Sequence, residues 1–103
     1  MTRENRALSN VRLVDLTDAR AIYGVKLLAD LGADTVRPVP EDGDPLASRG
    51  PIDESTGKSL WYAFHASSRR FFRMSRSLEC ERHLHQLCEN ADVIVLNAGH
   101  PFE

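Results

Sequence analysis

The sequence predicts an α/β fold, a Rossmann-like parallel sheet of about four strands with flanking helices. Three observations carry this. An apolar run, Val11 to Leu16, leads through a short polar break into a helical pattern that closes on Gly32. A second extended run and a Pro/Gly/Asp turn come next, which is the spacing of a βαβ unit. A further helical pattern then ends in another apolar run, Val93 to Leu96, so strands and helices alternate along the chain.

Each element has a local reason. Strand one, Arg12–Leu16, is nearly all apolar, as a strand covered on both faces would be, with Asp15 the exception. Thr17 or Asp18 is placed to cap the next helix. Helix one runs from Arg20 to Leu31, with Ile22, Val25, Leu28, Ala29 and Leu31 as its buried stripe. Gly24, unfavourable inside a helix, marks close packing or a late helix start. Gly32 supplies a left-handed stop. Strand two covers Asp34–Val39, and Pro38 inside it predicts an edge position or an early end. Residues 40–57 are polar and rich in Gly, Pro, Asp and Ser; loops of this length are usually functional or disordered. Ser59–His65 reads as a short aromatic helix and Arg70–Met74 as strand three. Ser75 or Ser77 caps helix three, Leu78–Asn90, whose apolar face is Cys80, Leu84, Leu87 and Cys88. Strand four, Val93–Leu96, is apolar throughout and predicted central.

Bulk properties narrow the function. A chain of 103 residues makes one small domain. A net charge of −2 gives no overall basic excess, which argues against nucleic acid as the main partner. No apolar stretch approaches the roughly 20 residues of a membrane span. Residues 1–10 lack the apolar core of a secretory signal and read as a flexible lead-in. Cys80 and Cys88 fall about 12 Å apart on one helix, too far for a disulfide, and reduced thiols suit a cytoplasmic protein. A zinc site from Cys80, His83, His85 and Cys88 fails because His85 is rotated away from the others, so no metal is expected. GxGxxG, P-loop and GxSxG motifs are absent. A central strand with no covering helix after it predicts a single partial domain, completed by another chain or belonging to a longer one.

The passage Val11 to Pro45 resembles the amino-terminal region of the family III coenzyme A transferases, the group of formyl-CoA transferase, carnitine CoA-transferase and α-methylacyl-CoA racemase. Leu13-Val14-Asp15-Leu16-Thr17, the run Leu27 to Asp34 (LLADLGAD) and Gly43-Asp44-Pro45 match the family pattern in order. Leu60 to Met74 and Ala91 to Asn97 are similar to later segments. The family's Ala-Gly-Pro-Tyr turn is shortened here to Ala21-Ile22-Tyr23, and its lysine in the third segment appears as Arg69.

The resemblance implies acyl-CoA as substrate, with no covalently bound cofactor, and transfer of coenzyme A between a thioester and a carboxylic acid. A degenerate, non-catalytic remnant and a racemase-like fragment stay open beside it. It also implies a partner, either a second copy or a larger family-related chain. The family's acylated aspartate lies well downstream, and no carboxylate here is assigned that role. Coenzyme contacts fall by position on Asp18, Arg20 and Ala21 in the first turn, Arg37 at the end of strand two, Arg69 before strand three, and Asn97 after strand four. Arginines suit the ligand's phosphates through bidentate bonds, which favours Arg69. In open α/β sheets ligands lie beyond the carboxyl ends of the strands, so the turn Leu16 to Arg20 is the natural site. Three further residues or groups each allow two readings. Asp15 is a backbone-bonded strand-end carboxylate or part of the site. Tyr23 packs on its helix or closes over a ligand. Trp61, Tyr62 and Phe64 form a core or interface cluster, or a base-stacking surface.

Overall fold

A computed structural model describes residues 6–101. Its strands are β1 (Arg12–Leu16), β2 (Asp34–Pro40), β3 (Arg70–Met74) and β4 (Val93–Leu96), all parallel, in the order β3-β2-β1-β4. The helices are α1 (Ile22–Asp30), α2 (Leu60–His65) and α3 (Leu78–Glu89). The sheet grows outward from β1 through β2 to β3, then crosses back so that β4 pairs on the other side of β1. That reversal makes the gap between the ends of β1 and β4 a topological switch point.

The alternation of side chains along a strand sorts the sheet into two unequal faces. Leu13, Asp15, Thr35, Arg37 and Val39 share one face, and all are buried. Val25 and Leu28 of α1 pack there with Leu13, Ala33 and Val95 as the apolar core. The opposite face is covered loosely by α3. A cavity of about 560 Å³ lies between Val14, Val36 and Phe72 of the sheet and His83 and Leu87 of the helix. Leu84 is the buried residue of α3, and the rest of its expected apolar face, Cys80, Leu87 and Cys88, is only half-buried because the helix stands off the sheet.

Several expectations change. β4 is at an edge, not central, and Val93 and Ile94 are 40% and 41% exposed. β2 is interior despite Pro38. The proline is tolerated because the register with β1 ends at Val36, before Pro38 is reached. Leu31 leaves the buried stripe and is 51% exposed, since the helix ends one residue earlier and Leu31 forms its C-cap. Gly24 is exposed with nothing within 4 Å of a built Cβ, so close packing is not its reason; it sits in the first turn of a helix that begins at Ile22.

Gly32 does stop α1, at φ +105°, and a Cβ there would lie 2.5 Å from Cβ of Arg6. Residues 1–5 of the expected lead-in lie outside the described residues. Residues 6–10 are a turn docked on the end of α1. The N–H of Leu8 donates to the carbonyl of Leu31 at 3.0 Å, and its side chain packs on the core. The long loop is ordered by a 3-10 turn, Pro45–Ser48, whose N-cap is Asp44, and by a bridge between Ile52 and Ser59.

Candidate functional site

The switch point is bridged by one hydrogen bond. The main-chain N–H of Asp18, just after β1, donates to Oδ1 of Asn97, just after β4, at 2.7 Å. Two of the expected contact residues, 79 positions apart, are thus brought together. Arg20 is on the same turn and pairs with Asp18 at 2.9 Å, with both side chains mostly in solvent. The hydrogen bond from Arg20 holds the Asp18 carboxyl below its usual range. Ala21 closes the turn as the N-cap of α1 and offers no side-chain cap. Neither Thr17 nor Asp18 caps the helix as expected. Both oxygens of Asp18 are turned to Arg20, and the Thr17 hydroxyl donates to Asp15.

Below the turn lies a buried polar network. Asp15 and Arg37 are neighbours on adjacent strands of the well-covered face, and NH1 of Arg37 is 3.3 Å from Oδ2 of Asp15. NH1 of Arg69 reaches the same oxygen at 2.6 Å. Arg37 also donates through Nε to Asp44 at 2.6 Å and through NH1 to the carbonyl of Thr17 at 2.8 Å. Tyr62 of α2 donates its hydroxyl to Asp44 at 2.9 Å. Two arginines thus face two aspartates, and every buried side-chain N or O among the described residues has a partner. Such neutral pairing is what makes burial of four charges tolerable. Burial works against the charge of Arg37, but Asp44 and Asp15 outweigh it and hold its pKa above the usual value. Burial pushes the Asp44 carboxyl up; the bonds from Arg37 and from the Leu46 amide outweigh that, and it sits below the ordinary range. For Tyr62, burial first and the bond to Asp44 second push the phenol up to about 12.

This geometry revises the roles of the two arginines. Direct pairing with a phosphate needs an open guanidinium. The Arg69 side chain is 0% exposed and donates to Asp15, the carbonyl of Ser67 and the carbonyl of His65. Arg37 is 6% exposed at the side chain. Neither is a solvated loop residue, and neither offers a free face to a ligand. Asp15 is more than a backbone-bonded carboxylate, since it also bridges both arginines. Asp44, Tyr62 and Thr17 also belong to the arrangement, in roles other than the cap expected of Thr17 and the aromatic cluster expected of Tyr62. Asp44 lies within the matching Gly43-Asp44-Pro45 run and Tyr62 within the similar Leu60 to Met74 segment, but neither match points to a bond between them.

The aromatic residues sit beside the network at the surface. Tyr23 stacks on Phe64 with ring centroids 6.4 Å apart rather than packing on its own helix, and Trp61 stacks on His65 at 4.1 Å. On the α3 side, a groove of about 1160 Å³ runs along the carboxyl ends of the strands, walled by Leu16, Val39, Met74, Leu78 and Leu84. Among the described residues no helix is long and apolar enough to cross a membrane.

A parallel β3-β2-β1-β4 sheet with its turn pinned at the switch point defines a Rossmann-like α/β protein. The family model described as CoA-transferase family III matches residues 8–100, and the chain belongs to that family. It is 33% identical over 91 residues to the succinyl-CoA:(R)-benzylsuccinate CoA-transferase subunit BbsE of Thauera aromatica, a match covering 84% of this chain and 22% of that protein. Its fold is similar to the crystal structure of a CAIB/BAIF family protein from Brucella suis. The TM-score is 0.78 and the identity 23%, over 90% of this chain and 26% of that one. The chain therefore spans about a quarter of the length of these relatives.

Proposed function

We propose that the chain is the amino-terminal, coenzyme-binding portion of an acyl-CoA transferase. Coenzyme A would lie across the turn Asp18-Ala19-Arg20-Ala21 and against Asn97. The observation that carries this is the Asp18–Asn97 hydrogen bond, which joins the segments after β1 and β4 where this fold class receives ligands. The exposed Arg20 guanidinium adds a donor group suited to phosphate. The neighbouring groove is lined by three acids, Glu41, Asp42 and Glu81, against one arginine, Arg76, and by the apolar Leu16, Val39 and Leu84, so it suits an uncharged part of the ligand.

Within this reading Arg37 and Arg69 support the site from beneath. Asp15 and Asp44 are enclosed by those arginines and are not candidates for an acylated carboxylate. Residues 1–103 alone are therefore expected to transfer no acyl group, and a second copy or a family-related chain is the proposed partner. Calorimetry with coenzyme A tests the reading: binding that Asn97→Ala weakens supports it, and no heat at millimolar ligand overturns it. A weakly binding, non-catalytic module is the second reading, favoured by the shortened Ala21-Ile22-Tyr23 turn and the enclosed arginines.

A further inference from the structure

We propose that Asp15 is a positioning residue that sets the shape of the turn after β1, and that Arg69 acts on a ligand through it and Arg37 through it and the Thr17 carbonyl. The inference rests on the coenzyme reading above for the identity of the ligand.

Thr17 is the hinge of the argument. Its N–H donates to Oδ1 of Asp15 at 3.0 Å, and its hydroxyl donates to the same oxygen. Its carbonyl accepts from NH1 of Arg37 at 2.8 Å. Both main-chain polar groups and the side chain of this buried residue are thus spent on the network. The next residue, Asp18, is exposed, and its N–H reaches Asn97. Within three positions the chain passes from a fully enclosed carboxylate to the solvent-facing turn.

Asp15 is also the point where the rest of the sheet meets that turn. Its Oδ1 serves Thr17 and its Oδ2 serves both arginines. Arg69 brings in the end of α2 through the carbonyl of His65, and Arg37 brings in the 3-10 turn and Tyr62 through Asp44. Guanidiniums so enclosed cannot reach a phosphate where they stand. They can hold Asp15, which holds Thr17, which aims the Asp18 N–H at Asn97 and so fixes the turn across the switch point.

Asp15→Asn would leave two buried guanidiniums short of counter-charge and threaten the fold, so the test is made at Thr17. Thr17→Val deletes the hydroxyl contacts but keeps the N–H bond and both ion pairs of Asp15; Thr17→Ser keeps the hydroxyl and loses only a methyl group. Amide hydrogen exchange at Asp18, coenzyme A affinity by calorimetry and the thermal melt are measured on the full chain. Thr17→Val is expected to speed exchange at Asp18 and weaken coenzyme A binding by about tenfold each, the size of one hydrogen bond to a charged acceptor. Exchange within α3 should not change, and Thr17→Ser should restore both readouts. A Thr17→Val protein with native exchange at Asp18 overturns the proposal, as does a loss that Thr17→Ser fails to restore. If the native chain binds no coenzyme A, the ligand reading fails, and exchange at Asp18 alone still decides the positioning role.

Discussion

Arg69 and Asp15, 54 residues apart in sequence, meet at 2.6 Å with neither side chain exposed to solvent. Breaking a buried pair on one side strands the other charge, which costs about 3–5 kcal/mol. Arg69→Met should therefore lower the unfolding free energy in urea by about that amount. Arg20→Ala, at an exposed pair, should leave the midpoint nearly unchanged. Equal effects from both substitutions would contradict the assignment of Arg69 to the interior.

Tyr62 predicts a loss of stability at alkaline pH. Its folded pKa is raised from 10.0 to about 12, so the neutral phenol is favoured by the native state. The stabilisation is complete below the ordinary tyrosine value, about 10, and fades as pH climbs to about 12. The difference in melting temperature between the native chain and Tyr62→Phe should shrink across that window. A constant difference would show that the phenol does not titrate as described.

Asp44 gives the opposite sign at the acid end. Its folded pKa is lowered, so its contribution is present above the unfolded value, about 4, and is lost as pH falls below it. Asp44→Asn should flatten this part of the stability profile, measured by urea titrations between neutral and strongly acid pH.

Two glycines should respond in opposite directions. Gly24→Ala places a methyl group in open space within a helix and should stabilise the chain by about 0.5–1 kcal/mol. Gly32→Ala forces a side chain into φ +105° and against Arg6, and should destabilise by more than about 1 kcal/mol. Chemical denaturation of both variants checks the pair.

The two thiols should separate in alkylation kinetics. Hydrogen bonds from Ser75 and Ser77 lower the pKa of Cys80, whereas burial raises that of Cys88. Thiolate is the reactive form, so iodoacetamide near pH 8 should label Cys80 first, as read by peptide mass spectrometry. Preferential labelling of Cys88 would contradict the local environments.

Strands β1, β3 and β4 were legible to the residue, and each ends where a polar position, Thr17, Ser75 or Asn97, follows its last apolar residue. Their order was not. Val93-Ile94-Val95-Leu96 reads as fully covered, yet its neighbours are decided by a crossover that no local pattern encodes. Pro38 misled in the other direction, since its constraint depends on how far β1 extends beside it. For the site, the resemblance led to Asp18 and Asn97, and the structure joins them. The two arginines were legible as charges but not as buried ones. Alternation from Leu13 puts Asp15 inside and alternation from Thr35 puts Arg37 inside, so their meeting followed from register, which only the fold supplies.

The edge position of β4 has a consequence for handling the molecule. An outermost strand that pairs with β1 alone among the described strands, and whose Val93 and Ile94 meet water, is a template for strand addition. At high concentration this apolar ribbon would recruit stray strands, so aggregation should climb with protein concentration unless the ribbon is covered.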